Sequence, residues 1–286
     1  MLLAVLAAVF YAVSTPVSKI LLNEIGPTML AALLYLGAGT GIGIVYLFRK
    51  DKTEKSKKLG RADLPYTIGM IALDIIAPIL LMNGITMTAA ANVSLLNNFE
   101  IVATALIAFA VFHEKISPRM WAAVVLITLA SVVLSFDGSA AFRFSPGSLM
   151  VLGATLCWGL ENNCTRKISS KSTYEIVILK GLFSGTGSLV IALMTGEKFA
   201  KPLITACALL LGFVAYGLSI FTYIRAQSVI GAAKTSAFYA LAPFIGALLS
   251  FLFLHEELSA MYFPGLAIMA VGSAAAVYDT MHTGAV

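Results

Sequence analysis

Four ionisable side chains stand inside long apolar runs of this sequence: Asp74, Glu100, Glu161 and Lys234. At bilayer depth such a group costs about 2.5 to 3.5 kcal/mol on insertion scales, so each is read first as part of a site. Glu100 has Asn97 three residues before it and Thr104 four residues after it, with Asn98 alongside. That spacing puts Asn97, Glu100 and Thr104 on one helical face, a polar stripe able to meet a small solute. The plainer reading is a set of hydrogen bonds that only fixes helix packing. Asp74 lies four residues before Pro78, whose missing N–H frees a backbone carbonyl in the same run. A buried carboxyl is a candidate proton carrier, which makes Asp74 and Glu100 the candidates for proton coupling.

Glu161, Asn162 and Asn163 form a second polar group, and Lys234 is a cation about one turn inside its run. Lys234 either snorkels to the surface or holds a carboxylate, a phosphate or one of the acids. Lys180 is similar. Tyr11, Trp158, Tyr216, Phe238 and Tyr239 offer aromatic surface, useful to a binding site and equally to packing. His113, His255 and His282 form no metal cluster, and Cys157, Cys164 and Cys207 lack ligand spacing. No metal and no cofactor is expected. Neither GxxxxGK[ST] nor a strand-linked GxGxxG occurs, so pumping by ATP hydrolysis within the chain is not expected.

The elements that must position these groups are set by composition. The chain has 286 residues, 59% of them hydrophobic and 12% charged, with a mean hydropathy of +0.93. Soluble proteins carry about 25% charged residues, so there is too little charge here to coat a soluble globule. A soluble enzyme, a nucleic-acid binder and a disordered chain are excluded. The net charge of +5 gathers largely in the stretch 49–63 and is a topology anchor rather than a nucleic-acid surface. A helix needs about 20 apolar residues to cross the hydrocarbon core. By that ruler the chain divides into ten spans: 2–22, 27–48, 65–83, 88–112, 117–136, 147–166, 174–194, 203–224, 231–254 and 259–279. The first starts at Met1 without a basic leader and is read as a retained helix. With the N-terminus inside, 13 lysines and arginines fall on the inner side and four (Lys19, Arg143, Lys198, Lys201) on the outer side. Both termini are therefore predicted cytoplasmic.

Ala89–Glu114 and Gly231–Glu256 align without gaps at a shift of 142, with eight of 26 positions identical, including Ser94/Ser236, Phe109/Phe251, His113/His255 and Glu114/Glu256. Tyr11–Lys19 aligns with Trp158–Arg166 at a shift of 147, placing Glu161, Asn162 and Asn163 opposite Ser14, Thr15 and Pro16. The expected fold is all-α and integral to the membrane: ten transmembrane helices as two five-helix repeats, 1–137 and 146–280. An odd number of crossings per repeat inverts one half against the other, and secondary carriers place their sites between such halves. Ser117 and Ser259, three residues after the shared His-Glu, are placed to cap the next helix, so His-Glu-x-x-Ser reads as a structural turn. Gly37, Gly39, Gly41 and Gly43 thin one side of the second span, and Pro16, Pro78 and Pro243 are candidate kinks.

The repeat, ending in HEKISPRMW and HEELSAMYF, resembles the EamA-type repeat of the drug/metabolite transporter superfamily over nearly the whole chain. The resemblance implies ten helices with cytoplasmic termini and a central cavity lined by the first, third, fourth, sixth, eighth and ninth. It places Tyr11, Asn97, Asn98, Glu100, Trp158, Glu161, Asn162, Tyr216, Lys234 and Tyr239 as candidate substrate-binding residues and leaves Lys180 on a peripheral helix. The function expected is a secondary transporter of the inner or plasma membrane, exporting small metabolites such as amino acids by alternating access, with proton coupling as an option. One alternative carries anionic organic phosphates or nucleotide sugars, using Lys234. Another, an intramembrane lipid-modifying enzyme, needs clustered acids, histidines or a metal, whereas these acids are scattered along the chain. The expected partners are a small-molecule substrate and the bilayer, with no nucleic acid; the chain is a monomer or a homodimer.

Overall fold

The computed structural model describes residues 2–48, 58–113, 115–136, 144–168, 171–230, 238–256 and 258–283. The elements among them are helices, with one antiparallel bridge between Phe136 and Phe144. The first rod is split into α1 (Leu2–Ala12) and α2 (Ser14–Leu21). Pro16 has no N–H for the Ala12 carbonyl, and the helix restarts through Val17 N–H donating to Val13 O at 3.2 Å. Then come α3 (Pro27–Leu47) and, after a 3-10 turn at Arg61–Asp63, α4 (Leu64–Met87). The fourth rod is also split, into α5 (Ala90–Leu96) and α6 (Phe99–Phe112), and is followed by α7 (Pro118–Ser135) and α8 (Pro146–Ile168). The seventh rod is α9 (Thr173–Leu179), a π-helical turn at Lys180–Ser184, and α10 (Gly185–Met194). The eighth is α11 (Pro202–Leu211), a second π segment at Gly212–Leu218, and α12 (Ser219–Ile230). The last described helices are α13 (Ala242–Leu254) and α14 (Tyr262–Thr283).

Among the described residues, eight helical rods are long and apolar enough to cross a membrane: Leu2–Leu21, Pro27–Leu47, Arg61–Met87, Ala90–Val111, Pro118–Ser135, Thr173–Met194, Pro202–Tyr223 and Tyr262–His282. This is narrower than the ten spans expected. The polar run Glu161–Asn163 and the pair Arg166-Lys167 lower the apolarity of α8. Helix α13 has only 13 residues, and 231–237 lie outside the described residues. Large apolar side chains such as Leu47, Leu203 and Phe253 remain exposed on the rods, where lipid replaces water as the neighbour.

The junction between the third and fourth rods differs from the expectation. Asn83-Gly84 does not end the helix: Asn83 donates from its side chain to Ile79 O at 2.8 Å, and the turn comes at Thr88-Ala89. Gly84 is there for α8, because a Cβ on it would lie 2.8 Å from Gly147 O. Pro78 is tolerated within a continuous α4, and Pro243 occupies the first turn of α13, where its missing N–H costs no bond. His113 and His255, equivalent at the shift of 142, both end their helices in the left-handed region, with φ of 54° and 49°. Ser117 then caps α7, accepting from Met120 N–H at 3.0 Å; Glu114 lies outside the described residues.

Packing joins the two halves of the chain. Helix α4 lies along α8, α6 crosses α8, α7 pairs with α14, and α1 touches both α12 and α13. Helix α3 packs on the seventh and eighth rods through its glycines: a Cβ on Gly37 would meet Leu209 O at 2.0 Å, and one on Gly39 would meet Leu182 N at 2.6 Å. Gly43 faces open space. At one end of the bundle Lys171 pairs with Asp63 at 3.0 Å, and Ser117 donates to Asp279 at 2.5 Å. At the other, Glu197 accepts from Thr28 N–H at 3.2 Å and Met29 N–H at 2.7 Å, and Glu256 accepts from Ala91 N–H at 3.3 Å. Lys19 donates there to Ile85 O at 2.5 Å and Thr88 O at 2.9 Å, a cation on the C-terminal carbonyls of α4.

Candidate functional site

The carboxylates in the apolar runs are not scattered in space. Lys180 Nζ lies 3.1 Å from Asp74 Oδ2 on α4 and 3.0 Å from Glu161 Oε1 on α8, with both acids essentially sealed from solvent. Lys180 is the first residue of the π turn, and such a turn changes the direction in which following and preceding side chains point. Its position is fixed further by Gly181, where an added Cβ would come within 2.4 Å of the Gly39 Cα. Two glycines thus let the seventh rod sit against α3, and Lys180 reaches the interior from a helix expected to be peripheral.

Tyr35 on α3 completes the cluster, donating its hydroxyl to Asp74 Oδ1 at 2.9 Å and accepting from Trp158 Nε1 at 3.4 Å. Thr165, one turn on from Glu161, donates to its carboxylate. A buried ion pair survives only when its remaining valences are hydrogen-bonded, and here each acid has a hydroxyl partner. Pro78 adds to the polarity, because the carbonyl it frees belongs to Asp74 itself.

One residue along α8, Asn162 turns to the other acid, donating to Glu100 Oε1 at 2.6 Å and to Thr104 Oγ1 at 3.3 Å. Asn163 donates to Thr104 O at 3.2 Å and to Gly159 O at 2.8 Å. Gly159 makes this contact possible, since a Cβ there would lie 2.5 Å from the Ala103 Cβ on α6. Glu100 and Thr104 therefore do share a face, and that face meets α8. Asn97 and Asn98 form the joint between α5 and α6, tightened by Glu100 N–H donating to Asn97 O at 3.1 Å and Ile101 N–H to Asn98 O at 3.0 Å. Asn97 Oδ1 and Asn98 Nδ2 are buried and find no hydrogen-bond partner among the described residues. A similar joint precedes α13, where Leu241 N–H donates to Phe238 O at 3.2 Å and Phe244 N–H to Leu241 O at 3.1 Å.

The aromatic candidates also converge. Ring centroids of Tyr35 and Tyr216 lie 5.4 Å apart, Tyr216 and Tyr11 6.0 Å, Tyr11 and Tyr239 5.8 Å, and Tyr239 and Tyr223 5.0 Å. Ser14 donates to the Tyr216 hydroxyl at 3.3 Å, and the Ser219 and Tyr239 hydroxyls are 3.4 Å apart. This row of rings starts at the Asp74 cluster, through the hydroxyl of Tyr35. Nine of the ten expected binding residues, with Asp74, thus fall in one connected region. The tenth, Lys234, lies outside the described residues. The resemblance leaves Lys180 on a peripheral helix, although the cost of charge in an apolar run applies to it as it does to Asp74. Tyr35, Thr165 and Tyr223 carry no charge and leave no mark in the pattern. Among the described residues no group of three or more His, Cys, Asp or Glu could hold a metal ion.

Comparison with known proteins agrees with this architecture. The model for the EamA-like transporter family matches residues 1–136 and 145–278. An uncharacterized transporter of Methanothermobacter thermautotrophicus is 26% identical over 276 residues, covering 89% of this chain and 79% of that protein. A crystal structure superposes on 99% of this chain and 97% of its own with a TM-score of 0.70. At 15% identity that likeness shows a shared fold and nothing about cargo.

Proposed function

The chain belongs to the EamA-like transporter family, and on that premise we propose that it is a secondary carrier exporting small polar metabolites, amino acids first among them, by alternating access. It is a multi-pass membrane protein of a transporter family, and both the family and the named relative point to a transporter rather than an enzyme. The observation that carries the finer reading is the ion cluster shared between halves. Asp74 comes from the first matched stretch, and Lys180 and Glu161 come from the second. A carrier that rocks one half against the other must make and break such contacts as its site changes side.

The packing supports two inverted five-helix repeats. Exchanging each rod with the rod five places on converts the α4–α8 contact into the α12–α1 contact and the α6–α8 contact into the α13–α1 contact. It leaves α7–α14, and α3 against the seventh rod, unchanged. The joints at Asn97-Asn98 and Ala240-Leu241 give each half one interrupted helix, the device by which carriers expose backbone groups to cargo. Both termini at the inner or plasma membrane's cytoplasmic face follow from the lysine and arginine bias. The organic-phosphate alternative uses Lys234, which lies outside the described residues, and Lys180, paired with two carboxylates, adds no second cation to it.

The test is exchange of radiolabelled amino acids by the purified chain in proteoliposomes, compared with Lys180→Ala. Exchange abolished by that change supports the reading. No uptake of any amino acid removes that cargo class. Flux unaltered by an imposed pH gradient removes proton coupling through Asp74 or Glu100.

A further inference from the structure

A turn between helices explains only part of the second His-Glu pair. His255 ends α13 in the left-handed region, as such a turn requires, but Glu256 reaches across to the other half of the chain. Its carboxylate accepts from Ala91 N–H at 3.3 Å, in the first turn of α5. Helix α5 has no cap of its own, because Ala89 stands at its N-cap position and offers no side-chain acceptor. Three residues before Ala91, Thr88 O accepts from Lys19 Nζ at 2.9 Å, and Lys19 also holds Ile85 O. The turn at 88–91 is thus clamped twice, by an ammonium on its carbonyl and a carboxylate on its N–H.

Helix α5 runs from that clamp to the joint before α6, and the two together make it a unit that can move. All seven of its residues are buried, packed on α13 and α2. Ser94 meets α13 at Gly246, where an added Cβ would lie 3.1 Å from Ser94 Oγ. At the joint, Asn98 N–H donates to Leu95 O at 3.0 Å and Glu100 N–H to Asn97 O at 3.1 Å. A few such element-terminal residues are where a hinge absorbs backbone change. Asn97 Oδ1 and Asn98 Nδ2 are buried there without a partner among the described residues, so the seated helix leaves hydrogen-bonding capacity unused at its hinge.

A second carboxylate at the same end supplies the contrast. Glu197 also crosses to a first-half helix, accepting from Thr28 and Met29 N–H, but backbone contacts at Gly37 and Gly39 fix that helix, α3, to the seventh and eighth rods. Glu197 and its target therefore stay together, whereas Glu256 joins the end of α13 to a short helix hinged at its other end. We propose that α5 is the plug of the mouth at this end of the bundle and that Glu256, with Lys19, is the latch that seats it, so that loss of the Glu256 carboxylate biases the protein toward the state open at this face. The inference rests on the carrier reading, since only a protein open to one face at a time has a mouth to latch.

The experiment uses the full chain in lipid vesicles, with Cys157, Cys164 and Cys207 changed to alanine and Ser94→Cys as the reporter. A membrane-impermeant methanethiosulfonate reads how often the plug leaves its seat. Glu256→Ala is expected to speed modification at least tenfold, and Glu197→Ala, the same loss at the same end, to leave it unchanged. Glu256→Gln keeps an acceptor oxygen for Ala91 N–H and is expected to fall between; it serves if the alanine variant fails to fold. With Glu256→Ala, half-saturating concentrations for amino acid exchange are expected to fall at this face and rise at the other, at least threefold each, because a population shift gains at one mouth what it loses at the opposite one. Equal modification of the Glu256 and Glu197 variants overturns the proposal. So does faster modification with both half-saturation values unmoved, the mark of a frayed cap rather than a latch. A chain that exchanges no amino acid, while its reporter still answers to Glu256 alone, removes the amino acid reading and leaves the latch standing.

Discussion

Gly181 and Gly39 meet backbone to backbone, so closely that a Cβ on Gly181 would lie 2.4 Å from the Gly39 Cα and the same distance from the Gly39 nitrogen. Neither partner can yield, because both atoms are main chain. The contact holds the residue before it, Lys180, over Asp74 and Glu161. We predict that Gly181→Val lowers stability by about 1–3 kcal/mol through overpacking and also abolishes transport. Gly43→Val, at a glycine with nothing within 4 Å, is the matched control and is expected to leave melting unchanged. Tryptophan-fluorescence melting of the two variants side by side checks the pair.

Lys180→Met leaves two buried carboxylates without their cation, and removing one member of a buried pair costs about 3–5 kcal/mol. Adding Asp74→Asn to that variant removes one of the stranded charges. The double variant is therefore expected to melt higher than Lys180→Met alone. A double variant no more stable than the single one would show that the ion pair is not what Lys180 contributes.

Asn97→Leu separates stability from function. It removes a buried acceptor that has no partner among the described residues, so the folded state is expected to gain about 1 kcal/mol or more. Transport, in contrast, is expected to fall at least tenfold. A variant that is both more stable and fully active would mean that the orphaned amide has no part in binding. Melting temperature and initial exchange rate on the same preparation decide it.

Glu197 holds the start of α3 across the halves, accepting from two backbone N–H groups that no turn of helix can satisfy. Glu197→Ala is expected to cost about 1 kcal/mol, the usual worth of a helix cap, with cargo affinity unchanged. Unaltered melting would place the stability of that end elsewhere.

Much of this arrangement was legible in the sequence because charge inside an apolar run is so costly that it rarely stands there idle. Asp74, Glu100 and Glu161 announced themselves in that way, and the matched His113 and His255 announced the repeat. Lys180 obeyed the same rule, but the family resemblance implied a peripheral place for its helix. What brings it inward is a π turn and a glycine–glycine contact, and i→i+5 bonding leaves no periodic mark in side-chain type. Tyr35 was invisible for a simpler reason: a tyrosine in a membrane helix is usual, and only its 2.9 Å bond to Asp74 distinguishes it. Span lengths were read well where apolar runs are unbroken. They were read poorly at Asn83-Gly84, where glycine serves helix approach rather than a turn.

Lys180 and Glu161 belong to the same half of the chain, while Asp74 belongs to the other. In the proposed rocking of one half against the other, the lysine and its own-half glutamate are expected to travel together as a pair of opposite sign. Moving one elementary charge through the full membrane field is worth about 2.3 kcal/mol per 100 mV. A tethered pair of opposite sign cancels most of that work. On the proposed carrier reading, return of the empty protein is expected to depend little on membrane voltage, which exchange measured with and without an imposed potential checks.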